Sequence, residues 1–64
     1  MSFNKVDSLY DGLQNIINDS QSDVTKFVQG NNSAGTRVRK AMQAVKALAQ
    51  DIRVEVQDQK NKAF

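Results

Sequence analysis

Gly30-Asn31-Asn32-Ser33-Ala34-Gly35-Thr36-Arg37-Val38-Arg39-Lys40 is the stretch on which the fold turns. Its first four residues are those that favour helix ends: glycine closes a helix because it accepts a left-handed backbone, and asparagine or serine opens the next one by capping free N–H groups. One helix therefore ends near Gly30, and a second begins with its cap at Asn32 or Ser33. No comparable break occurs elsewhere, and the sequence contains no proline.

Upstream, Phe3, Val6, Tyr10, Leu13, Ile17, Ser20, Val24 and Phe27 recur at alternating spacings of three and four, a heptad seam with Ser20 its one polar member. Leu9, Ile16 and Val28 widen it into a face. Downstream, Val38, Met42, Val45, Ala49, Ile52 and Val56 keep the same rhythm, with Ala41 and Leu48 beside them. Ile52 to Val56 also alternate with period two, but they continue the helical seam without a turn signal. The reading is all-α: a single helical-hairpin domain spanning the chain, with helices over about 3–28 and 33–60 joined by a turn at about 29–33. It forms an antiparallel hairpin, or a long-helix coiled coil, that assembles into a helical bundle oligomer. The expected core and oligomer contacts are Val6, Tyr10, Leu13, Ile17, Val24, Phe27, Val38, Met42, Val45, Leu48, Ile52 and Val56. Gly12 costs the first helix about 1 kcal/mol relative to alanine, Ser20-Gln21-Ser22 is a place for a bend, and Gln59 to Phe64 are expected to fray.

Oligomerisation is expected from size as well. A chain of 64 residues builds a core worth only about 3–5 kcal/mol, and comparable small folds add a disulfide, a metal or a partner copy. With no Cys and no His, disulfides and zinc are excluded, and so are the nucleophile pairs and imidazole bases of most hydrolytic chemistry. No enzyme activity, cofactor, metal or small-molecule substrate is expected. No segment approaches the roughly 20 apolar residues that span a bilayer, and residues 1–20 lack the pattern of a signal peptide. A cytoplasmic location without membrane contact follows as the expectation. The pairs Asp7/Asp11 and Asp19/Asp23 lack the further ligands a calcium site needs and read as solvated faces.

The net charge of +2 hides an asymmetry. Up to Gly30, Lys5 and Lys26 face Asp7, Asp11, Asp19 and Asp23; beyond it, seven basic residues face Asp51, Glu55 and Asp58. Arg37, Arg39 and Lys40 fall near the start of the second helix, where the helix dipole disfavours cations unless an anion is bound. A phosphate suits such a site: Ser33 and Thr36 offer hydroxyl donors, Asn32 a cap, and Ala34 and Gly35 room for close backbone approach. Arg39, Lys46, Arg53 and Lys60 then repeat every seven residues as a stripe. Such a stripe either tracks a nucleic-acid backbone or pairs with acidic neighbours in a bundle, and Asp19, Asp23 and Asp7 lie where a hairpin would bring them alongside. No aromatic residue stands among these basic groups before Phe64, so neither base stacking nor base-specific readout is expected.

Gly30-Asn31, Ala34-Gly35-Thr36-Arg37 and Arg39-Lys40, followed by a helix with regularly placed basic residues, resemble the linker-histone-like nucleoid proteins of bacteria, the type known from chlamydiae and Bacteroidetes. The resemblance covers about half the chain, residues 30–60. It implies a DNA-binding, chromosome-compacting, nucleoid-associated protein whose most recognisable motif corresponds to the Gly-Asn turn with Arg37, Arg39 and Lys40. Members of that family commonly continue into a long Lys/Ala-rich tail, whereas this sequence stops at Phe64, so a tail-less form is expected. Combined with the residues themselves, the reading is a histone-like protein that binds the phosphate backbone of double-stranded DNA without sequence preference. The residues assigned to it are Asn32, Ser33, Gly35, Thr36, Arg37, Arg39, Lys40, Lys46 and Arg53, and its second partner is another copy of itself. The rival reading is a structural or adaptor bundle that binds other proteins and uses the basic patch for internal salt bridges. Binding of a membrane surface by the second helix is a weaker third, because the first helix already offers that face a partner.

Overall fold

The computed structural model describes residues 4–62, and those residues form two antiparallel helices, α1 (Lys5–Val28) and α2 (Asn32–Lys62). Phe3, Ala63 and Phe64 lie outside the described residues. Asn4 opens α1 with extended backbone, its side-chain oxygen accepting the Val6 N–H at 2.9 Å. The same amide exchanges two hydrogen bonds with Gln59 of α2, at 3.0 and 2.9 Å, and so ties the open end of the hairpin together. Gln59 also donates to Glu55 at 3.1 Å. The helix therefore runs through Gln59 to Lys62, against the expectation of fraying from Gln59; the amide pair supplies the partner that the sequence pattern did not reveal.

At the other end the two glycine-turn bonds of a Schellman cap are both present. The Gly30 N–H donates to the Phe27 carbonyl at 2.9 Å, and the Asn31 N–H donates to the Lys26 carbonyl at 3.0 Å. Gly30 sits at φ 104°, the one positive value among the described residues, which is why glycine stands there. The cap of α2 is Asn31, whose side-chain oxygen accepts the Ala34 N–H at 3.1 Å. The expected cap at Asn32 or Ser33 is corrected by one or two residues. Asn31 closes the turn with its N–H and opens the helix with its side chain, so no separate linker is needed.

The contact between the helices is a heptad seam set one position round from the one the sequence suggested. In α1 it runs through Val6, Leu9, Leu13, Ile16, Ser20 and Asp23 to Phe27, and in α2 through Ala34, Val38, Ala41, Val45, Leu48, Ile52, Glu55 and Gln59, most of them half-buried. Small residues govern the approach. Ala34 is fully buried, Ser20 is 7% exposed, and the Phe27 ring lies on Gly35 so closely that an added Cβ would sit 2.6 Å from its Cδ1 atom. Ser20 meets burial by donating its hydroxyl to the Ile17 carbonyl at 2.9 Å, and α1 continues through it unbroken where a bend was expected.

Six of the side chains expected as core or oligomer contacts are partly exposed in the single hairpin: Tyr10, Ile17, Val24, Phe27, Met42 and Val56, between 39% and 53%. The cause is geometric. Residues 6, 13, 20 and 27 belong to both seams, but the helices meet along the side bearing Leu9 and Ile16, so Tyr10, Ile17 and Val24 turn outward. No large side chain among the described residues is fully buried.

Candidate nucleic-acid interface

Antiparallel helices with heptad contacts have two flanks, and the basic residues divide between them. Arg37 lies on the flank where Asp23 approaches; its Nε donates to an Asp23 carboxylate oxygen at 2.8 Å. On the same flank Lys5 stands 3.8 Å from Glu55, and Lys62 stands 3.0 Å from Asp58 one turn earlier in α2. The Asp58 carboxylate, by accepting a hydrogen bond and by its charge, raises the Lys62 ammonium above the ordinary lysine range. All three acidic residues of α2, Asp51, Glu55 and Asp58, take part in this side of the helix or lie beside it.

The opposite edge of α2 is different. Arg39, Lys46, Arg53 and Lys60 occupy one heptad position, exposed, and none forms an ion pair among the described residues. Successive members are about 10 Å apart along the axis, so the row is about 30 Å long. Beside it runs a second row, Thr36, Gln43, Gln50 and Gln57, all exposed and all able to donate hydrogen bonds. Neither row contains a carboxylate. Thr36, Arg39, Lys40 and Gln43 line a shallow depression near the helix start, and Val38, Arg39, Met42, Gln43 and Lys46 line the next one along. The threonine and glutamine row was missed in the sequence, although its seven-residue spacing beside the basic stripe is a signal that could have found it.

The helix start itself is less open than its sequence suggested. Asn32, Ser33 and Thr36 are exposed, but Ala34 is buried and the Phe27 ring occupies the space above Gly35. The two small residues serve helix packing, and the room expected there for an anion is filled. Arg37 and Arg39 are the sixth and eighth residues of α2, beyond the first turn where the dipole acts. Asn32, Ser33, Thr36, Arg39, Lys40, Lys46 and Arg53 thus share an accessible edge, Arg37 is drawn to the other flank, and Gly35 is covered. No helix of the described residues is long and apolar enough to cross a membrane.

Compared with known proteins, none of the curated sequences and none of the solved structures matches the chain. A family model does match, that of histone H1-like protein Hc1, over residues 7–62. The match takes in both helices and the turn, with the basic row and its capped start inside it, and on that extent the chain belongs to the histone H1-like protein Hc1 family.

Proposed function

We propose that the protein is a nucleoid-associated DNA-binding protein that grips the phosphate backbone of duplex DNA along the outer edge of α2, without reading sequence. Membership of a histone H1-like family supports DNA as the partner. The observation that carries the choice of surface is the row Arg39, Lys46, Arg53 and Lys60, unpaired within the hairpin and about as long as one turn of duplex, roughly 34 Å. Lys40, across the shallow depression from Arg39, adds a cation at the helix start, where the hydroxyls of Ser33 and Thr36 and the amide of Asn32 add neutral donors. The glutamine row beside it serves phosphate and sugar oxygens in the same way.

Self-association belongs to the same proposal. Four or five exposed cations give a weak single site, and copies joined together multiply the contacts on one DNA. The partly exposed apolar side chains Tyr10, Ile17, Val24, Met42 and Val56 supply the surface for it. The test is a set of DNA titrations with Arg39, Lys46 and Arg53 changed to Gln. Binding should weaken for every DNA sequence alike while helicity is retained. An adaptor whose basic residues serve only solubility would show no DNA binding to lose, and unchanged affinity in the variant would move the interface elsewhere.

A further inference from the structure

Residues at equal height in the hairpin are fixed by four contacts: Asn4 with Gln59, the Gly12 position with Leu48, Asp23 with Arg37, and Phe27 with Gly35. Residue numbers across the hairpin therefore add up to about 60–63. In an antiparallel pair with this seam, the positions following the shared one in each heptad fall on the same flank of both helices. Tyr10, Ile17 and Val24 of α1 and Met42, Ala49 and Val56 of α2 consequently form one apolar face. It is bordered by Asp7, Gln14 and Gln21 along α1 and by the basic row along α2.

Resting on the self-association proposed above, we infer that a second copy of the chain covers this face, related by a two-fold axis along the hairpin's length. The two turns then lie at the same end, and each α1 stacks on the partner's α2. Area allows it: the hairpin extends 52 × 22 × 11 Å, so its broad face offers roughly 1,000 Å², above the ~800 Å² per partner typical of a stable interface. Charge selects the axis. A lengthwise two-fold sets each residue beside the partner residue at its own height, which puts Asp7 against Arg53, Gln14 against Lys46 and Gln21 against Arg39. A two-fold across the hairpin would instead lay α2 on α2, bringing basic row against basic row.

Shape agrees. With the lengthwise axis Tyr10, the largest side chain of its row, falls within about one helical turn of Ala49, the smallest of the other. The consequence for function is direct. Both helix-2 starts lie at one end of the dimer, while the two rows from Arg39 to Lys60, related by half a turn about the long axis, run along opposite edges, so that each edge presents one row to DNA.

The chain has no cysteine, so a single Gln29→Cys substitution at the exposed turn carries one spin label per copy. With helix axes 8–10 Å apart, labels at the same end of a four-helix bundle stand about 15–25 Å apart. A pulsed-EPR distance in that range is the expected result. A distance of 50 Å or more, the length of the hairpin, overturns the arrangement while leaving self-association intact. A monomer by sedimentation with no intermolecular distance overturns both.

Discussion

Replacing Gly12 and Gly35 with alanine, one at a time, separates two roles that glycine plays in these helices. Both substitutions relieve a backbone that is about 1 kcal/mol less favourable than alanine in a helix interior. At Gly12 the new Cβ would lie 3.7 Å from the Leu48 Cδ1 atom, an ordinary contact, so Gly12→Ala should stabilise by about 1 kcal/mol. In a domain of this size that corresponds to a rise in Tm of about 4–8 °C. At Gly35 the Cβ would fall 2.6 and 2.7 Å from two ring atoms of Phe27. The ring must leave, and because it is 51% exposed it gives up about half the 1.5–3 kcal/mol of a fully buried apolar side chain. Loss and gain nearly cancel, so Gly35→Ala should show little of the gain seen at Gly12 and end within about 0.5 kcal/mol of the unaltered chain. In a Phe27→Ala background the obstruction is gone, and Gly35→Ala should recover the gain seen at Gly12. Thermal and urea unfolding followed by circular dichroism, at fixed protomer concentration because an assembly's Tm depends on it, measures all four variants. Equal stabilisation by Gly35→Ala with and without Phe27 would refute the packing of the ring on Gly35.

Three further substitutions test separate parts of the account. Asn31→Ala removes the cap of α2 and should cost about 1 kcal/mol, whereas Asn32→Ala and Ser33→Ala should each change stability by a few tenths; the reverse order in urea unfolding would return the cap to one of those positions. Gly30→Ala forces a side chain into a left-handed backbone and should cost about 1–2 kcal/mol by the same assay. Ile17→Lys places a charge at the centre of the apolar face, and sedimentation should show loss of assembly at concentrations where the unaltered chain associates; an unchanged sedimentation coefficient would move the interface off that face.

Much of the fold is legible in the sequence because Gly30 and the asparagines after it are explicit, and because the heptad rhythm continues for about seven turns before the break and about five after it. The facing of the seam was harder to read. Apolar residues occupy three adjacent heptad positions in α1, and nothing in a one-dimensional pattern states which two of them meet α2. That choice is made by small residues: Ala34, Gly35 and Ser20 allow close approach on one side, and Tyr10, Ile17 and Val24 are left on the other. The Asn4–Gln59 pair was invisible for a similar reason, since two amides 55 positions apart carry no local signal. In the site, the basic stripe was legible from its spacing. Its freedom from internal pairing was not, because it depends on Asp19 and Asp23 lying on the far flank, where Asp23 takes Arg37 instead.

The central claim is that phosphate contacts along the edge of α2 hold the protein on DNA, and salt dependence tests it most directly. Fluorescence-anisotropy titrations of the unaltered chain with two duplexes of unrelated sequence, at several salt concentrations, should give the same affinity for both. Log K should fall linearly with log salt at a slope of about −3 to −4 per protomer, one unit for each phosphate neutralised. Absence of binding at low salt, or binding whose slope is near zero, would contradict the account.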